Sequence, residues 1–185
     1  MRWAAVLVLA ACLLAPRAFA DGPKLRPTRD VEVIYRSEAG PQPLEQRVRW
    51  DAEAQTMRID PPTTGLYVII DYLTRRMSVV HEAEKSVIEM AAPAGMANMP
   101  GEQAPGSFVR QGEATVGGLG CTVWQTVDRT GQPAEVCVTD DGVLLRAGSA
   151  GRTLVAAVKV EYAPQDASLF RVPADYVRRS AGAGR

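Results

Sequence analysis

The chain has 185 residues, 46% of them hydrophobic and 23% charged, and its 21 basic and 21 acidic side chains cancel. That length suits one ordinary globular domain behind a leader. Balanced charge leaves no basic surplus to release counterions from DNA or RNA, so nucleic acid is not an expected partner.

The first segment reads as a secretory signal. Arg2 supplies a positive n-region, Ala4 to Leu14 form an apolar run, Pro16 breaks it, and Ala18-Phe19-Ala20 offers small residues at a cleavage site. Cleavage after Ala20 would remove Arg2 and Arg17 and leave two more acids than bases in the mature chain. The run is shorter than the roughly 20 apolar residues that a spanning helix needs, and no later segment comes close. The mature protein is therefore expected to be soluble. A second reading competes: Leu9-Ala10-Ala11-Cys12 spells a lipobox, which would leave Cys12 as an acylated, membrane-anchored N-terminus. Simple cleavage is preferred because the apolar run continues through Leu13 and Leu14.

Period-two alternation dominates the chain beyond the leader, and helical spacing is nearly absent. Asp30–Ser37 sets Val31, Val33 and Tyr35 against Glu32 and Arg36; Leu44–Trp50 sets Gln46, Val48 and Trp50 against Glu45, Arg47 and Arg49. Thr56–Asp60 carries Met57 and Ile59 inward, and Pro61 to Gly65 close it. Leu66–Asp71 is apolar on both faces and predicts a central strand covered on both sides. Met77–Val80 and Ser86–Met90 extend what reads as an antiparallel meander. From Ala91 to Ser107 the pattern gives way to an Ala, Pro and Gly-rich loop.

Strand pattern resumes at Phe108–Gly112, Glu113–Gly120, Cys121–Val127, Ala134–Thr139, Val143–Arg146 and Thr153–Tyr162. Asp128–Gly131 and Asp140–Gly142 are hairpin-type turns. Cys121 and Cys137 survive loss of the leader, and they stand equidistant from residue 129, within the first of these turns. Two neighbouring antiparallel strands would bring them together as a disulfide in an oxidising compartment; the alternative is two buried free thiols. Asp166 can cap a short helical turn with Leu169 and Phe170 tucked in. The ordered domain is expected to span residues 21–177, with 178–185 a disordered tail.

Three stretches carry a resemblance: Pro27-Thr28-Arg29-Asp30 with the strand after it, the hairpin Val136–Arg146, and the closing Asp166–Tyr176 with its Leu169-Phe170, Pro173 and Tyr176. They resemble an uncharacterised family of exported proteobacterial proteins. That family is in turn similar to the LolA/LolB-like group of periplasmic lipoprotein carriers and the regulator RseB. The resemblance implies a mainly β fold, a curved antiparallel sheet forming a half-open barrel with little helix. It implies an apolar concave face able to take acyl chains, a lipid or lipoprotein as ligand, no cofactor and no catalytic residue. Trp50, Tyr67, Ile69, Trp124, Val158 and Val160 are the candidate lining residues. Alternation within strands does not fix which faces join between strands, so the same residues can equally form a packed core.

Catalytic chemistry has little to draw on. The one histidine, His81, has Ser78 and Asp71 near it in sequence, but residues an odd number apart on a strand point to opposite faces. No Gly-x-Ser-x-Gly elbow is present. The acid pairs Asp140-Asp141 and Glu82/Glu84 sit at turns, and Gly117-Gly118-Leu119-Gly120 lacks the lysine of a phosphate loop. Met90, Met96 and Met99 could offer thioethers to Cu(I), with His81 as a further ligand, though methionine also serves as plain packing. The expectation is a non-enzymatic periplasmic carrier or sensor of something apolar, with a protein-interaction module as the alternative and no resident metal.

Overall fold

In a computed structural model, which describes residues 22–24, 26–38, 40–92, 107–128 and 130–180, the chain forms one curved sheet that does not close. Six strands come first: β1 (Val31–Ser37), β2 (Leu44–Asp51), β3 (Thr56–Asp60), β4 (Leu66–Asp71), β5 (Arg76–His81) and β6 (Ser86–Ala91). Five follow the Ala/Pro/Gly-rich stretch: β7 (Val109–Val116), β8 (Leu119–Val127), β9 (Pro133–Val138), β10 (Leu144–Ser149) and β11 (Arg152–Glu161). A 3-10 turn at Ala167–Phe170 leads to β12 (Val177–Ser180). The spatial order is β12-β6-β5-β4-β3-β2-β1-β11-β10-β9-β8-β7, two antiparallel meanders joined where β1 pairs with β11. Only β12 is parallel to its neighbour.

Register settles the question of faces. Val31, Val33 and Tyr35 stand opposite Trp50, Val48 and Gln46; Trp50 and Val48 meet Met57 and Ile59; those meet Ile70 and Val68. This set faces inward. Val31, Val33, Trp50, Ile70, Tyr72, Cys121, Cys137, Val143, Leu145 and Ala157 form one buried cluster, drawn from both halves of the sheet. Tyr35 Oη donates to Leu144 O at 2.8 Å, joining β1 to β10 across the interior past the intervening β11. Two strands that are not neighbours can bond this way only inside a curl.

The outer face carries charge instead. Arg49 pairs with Glu32 at 2.8 Å and Asp60 at 2.7 Å, and Arg58 with Asp60 at 2.7 Å. Beyond them Tyr67, Ile69, Val80 and Val87 make a second, outward apolar cluster, covered by Val172 and Tyr176 of the C-terminal segment. Arg58 lies 3.7 Å over the Tyr67 ring and donates to Leu169 O at 3.0 Å, fastening that segment to β3. β4 is thus apolar on both faces because each face has its own cover.

Three expectations need adjustment. Glu113–Gly120 is not one extended piece: the chain reverses at Gly117 and Gly118, which have φ of 58° and 82°, so β7 and β8 form a hairpin. Cys121 and Cys137 are bonded, with Cα atoms 5.5 Å apart, but they are diagonal neighbours. Cys137 stands opposite Val123, two residues along from Cys121, because the strands pair about residue 130 and not 129. The tail does not fray at Arg178, since Val177–Ser180 pairs with Ser86–Glu89. Tyr176 is held against the outer cluster, which sets the next residues beside the otherwise open edge of β6, whose backbone groups need partners. The stretch 93–106, with Met96 and Met99, lies outside the described residues.

The disulfide joins positions 16 apart in sequence, and closing such a loop removes about 3 kcal/mol of freedom from the unfolded chain. A Cys121→Ser/Cys137→Ser variant is expected to lose stability of about that size in urea denaturation. Coincident midpoints for the oxidised protein and the variant would show that the bridge contributes nothing.

Candidate functional site, an apolar cavity under an N-terminal strap

The inner face is not completely filled. A cavity of about 310 Å³ is bounded by Val31, Val33, Val48, Met57, Ile59 and Val155 on the sheet, with Trp50, Tyr35 and Gln46 beside them. Its remaining wall comes from Arg26 and Pro27 and from Gly142 to Leu144. The volume is at the lower end of the roughly 300–1,000 Å³ usual for ligand pockets. Arg26 is the one charged side chain among the described residues that line it.

That wall is a strap. The segment begins outside the sheet, with Gly22, Pro23 and Lys24 beside Trp124 and Val138, then rounds the Asp140–Gly142 turn to reach the interior. Lys24 Nζ donates to Asp140 O at 2.6 Å, Thr28 N to Asp141 O at 2.9 Å, and Arg29 Nε to Asp141 Oδ2 at 2.7 Å. Gly142 has φ of 96°, and a Cβ there would stand 2.1 Å from Arg26 O, so only glycine lets the strap pass. The Arg26 guanidinium then rests 4.0 Å over the Tyr72 ring, whose other neighbour is Trp50, edge-on at 5.5 Å between centroids. Partial burial lowers Arg26's proton affinity, opposed by Tyr72; a guanidinium stays charged in proteins regardless. The indole N–H of Trp50 is buried and has no acceptor among the described residues, an arrangement that costs about 1–3 kcal/mol.

Two of the three stretches that carried the family likeness meet at this strap, and the third begins one residue beyond Gln165, which Asp30 holds. Asp141, from the hairpin, takes Arg29, Tyr162 Oη at 3.1 Å and Thr139 Oγ1. Asp30 accepts from Ala52 N and from Gln165 N, both at 2.9 Å, tying the start of β1 to the approach of the closing segment. Burial pushes the Asp141 carboxyl up, and the hydrogen bonds from Thr139, Arg29 and Tyr162 outweigh it, holding it below the ordinary value. In the sequence these stretches stand as signatures, without the contacts that join them.

Of the six candidate lining residues, only Trp50 and Val160 belong with the inner cluster. Tyr67 and Ile69 are on the outer face of β4, beneath the C-terminal segment. Trp124 alternates with Val123 and Cys121, so it points outward to the start of the strap. Val158 is 42% exposed, at the point where the pairing of β1 with β11 shifts. Cavity-lining residues outside the six candidates include Arg26, Val48, Met57, Ile59 and Val155. Alternation pointed to Val48, Met57 and Ile59 as inward; nothing in the sequence pointed to Arg26.

The other candidates lie apart from this cavity. His81 ends β5 opposite Leu66 and Ser86, whereas Ser78 is opposite Ile69 on the other face. Met90 faces Met77 across β5 and β6. No group of three or more His, Cys, Asp or Glu suited to a metal occurs among the described residues. A larger hollow of about 680 Å³, between β7–β8 and the residue 139–141 turn, is walled by Arg29, Arg110, Glu113 and Asp141 and suits no apolar group.

The fold and the cavity together define a class: an open, curved sheet of LolA-like type enclosing an apolar hollow. Particular solved structures share that fold. An uncharacterised conserved protein from Thermus thermophilus superposes with a TM-score of 0.61 at 13% identity, over 83% of this chain and 91% of that one. MucB, in the Pseudomonas aeruginosa MucA/MucB complex, gives 0.54 at 14% identity, over 78% of this chain and 56% of that one. PNGF-II gives 0.56 at 13% identity, with this chain spanning 31% of its length. No protein-family model and no curated protein sequence matches the chain.

Two outcomes are expected for the strap. Gly142→Ala should displace it, seen as loss of amide hydrogen-exchange protection at Thr28 with the sheet still protected; unchanged protection at Thr28 would mean the close approach is not limiting. Asp141's depressed carboxyl stabilises the folded strap fully above the unfolded value of about 4, and that contribution disappears as pH falls through the lower folded value. An acid titration of the wild type against Asp141→Asn should show this loss only in the wild type.

Proposed function

We propose that this is an exported, non-enzymatic binding protein of the bacterial periplasm, which holds an apolar ligand, a lipid or the acyl part of a lipidated partner, inside its open barrel. The observation that carries the reading is the cavity itself. A curved sheet must fill its concave face with side chains, a plug or a ligand, and here Val33, Val48, Met57, Ile59 and Val155 border space that the described residues leave open. The Cys121–Cys137 bridge fits an oxidising compartment, as does the leader read from Met1 to Ala20. The strap borders the cavity and is anchored chiefly at the Asp140–Gly142 turn.

A second reading, a protein-interaction module, has support of its own. MucB, which shares the fold, was solved in complex with MucA(peri). Along the outer edge of the sheet, β7 presents eight residues with Val109 58% exposed, and such an edge can accept a partner's strand.

Native mass spectrometry of protein purified from the periplasm separates the two. The ligand reading expects an adduct of lipid mass that solvent extraction releases, and its loss in Val48→Trp, whose indole would occupy the cavity. A wild type that carries no lipid, and takes none up from mixed vesicles of phospholipid and fatty acid, would leave the interaction reading standing alone.

A further inference from the structure

The cavity continues, as apolar surface, in one direction. Along the strands it meets polar groups, Gln46 towards one end and Arg26 at the other. Across the strands it does not. Ile59 stands opposite Val68, Val68 opposite Val79 and Val79 opposite Ile88, and Met57 leads likewise through Ile70 and Met77 to Met90. Two unbroken apolar rows therefore leave the cavity wall and cross the inner face of β4, β5 and β6. Burial on the last two strands is the reverse of what a barrel interior leads one to expect. The outward Val80 and Val87 are 0% exposed, whereas the inward Met77, Val79, Ile88 and Met90 are only half-buried. Among the described residues, Val79, Ile88 and Met90 belong to neither apolar cluster.

We propose that this shelf receives the far end of an alkyl chain whose near end fills the cavity, so that the ligand is a linear chain lying across the strands. This rests on the ligand reading above and adds where the chain runs and how long it is. Strands lie about 4.8 Å apart, so the cavity spans about 10 Å from β1 to β3, and the rows run on for about 14 Å to β6. An extended chain advances about 1.2 Å per bond, so an octyl group ends within the cavity while a tetradecyl group passes β4 and approaches Met77. Methionine suits that end, because its flexible, polarizable thioether follows chains of differing bend.

The test uses octyl, decyl, dodecyl and tetradecyl maltosides, uncharged probes that differ only in chain, by isothermal titration below their aggregation limits. Affinity for the wild type is expected to rise roughly 10-fold for each two methylenes over the whole series, as continued burial requires. Val79→Thr/Ile88→Thr, which keeps β-branched side chains but adds hydroxyls, should bind octyl maltoside as the wild type does and lose most of the later gain. Protein labelled with [methyl-13C]methionine gives a second readout that needs no shelf variant. The Met57 resonance should shift with every probe and that of Met77 with tetradecyl maltoside alone. Affinity that levels off after octyl, a Met77 signal that never moves, or a full gain in the double variant would each overturn the shelf and leave the cavity reading intact. Failure of every maltoside to bind would remove the ligand reading and this inference together.

Discussion

The interior of an open barrel must be kept dry by groups drawn from both halves of one sheet, and the rest of this structure answers to that requirement. Helices would be the usual plug, but the described chain has only the single turn at Ala167–Phe170, and that turn lies against the outside of β3. The inner face is sealed instead by Trp50, Ile70, Leu145 and Val143, each at most 1% exposed, and by the disulfide between β8 and β9. An extended strap covers what they leave. Extended chain carries fewer side chains per unit length than a helix and fills a hollow less completely, which fits the cavity beneath Arg26 and Pro27.

The strap has unusual physical consequences. It brings a guanidinium to an apolar wall, where a charge is costly unless something compensates. The Tyr72 face supplies part of that compensation. Its anchoring concentrates on one turn, Asp140–Gly142, through a lysine, a backbone amide and an arginine. The outer face is organised differently: the Glu32, Arg49, Asp60 and Arg58 chain of charges and the Tyr67 stack hold the C-terminal segment over several strands.

Most strands were legible because each inward residue is flanked by polar neighbours, and Leu66–Asp71 stood out as two-faced because it is. What failed was pairing across strands. Tyr67 and Trp50 look alike as strand aromatics, yet the register through Met57 and Ile70 sends them to opposite sides. Val158 falls at a register shift between β1 and β11, where alternation stops being a guide. The C-terminal strand was invisible because Val177–Ser180 has an exposed, basic pattern with no inward side. It is extended only because β6 offers it an edge.

By itself, the sequence determined a β domain with alternating faces behind a stretch that reads as a leader, a pair of cysteines near one turn, and no constellation for catalysis in any local motif. These are properties of residues near one another in the chain, and period, turn chemistry and composition express them directly. The tertiary structure alone decided which faces join, that the bridge is diagonal, that the first strand's approach and the Val136–Arg146 hairpin meet at Asp141, and that Arg26 ends at the wall of an apolar hollow. Each of those depends on register summed over many strands, where a shift of one residue reverses every side chain, and no local pattern encodes that sum.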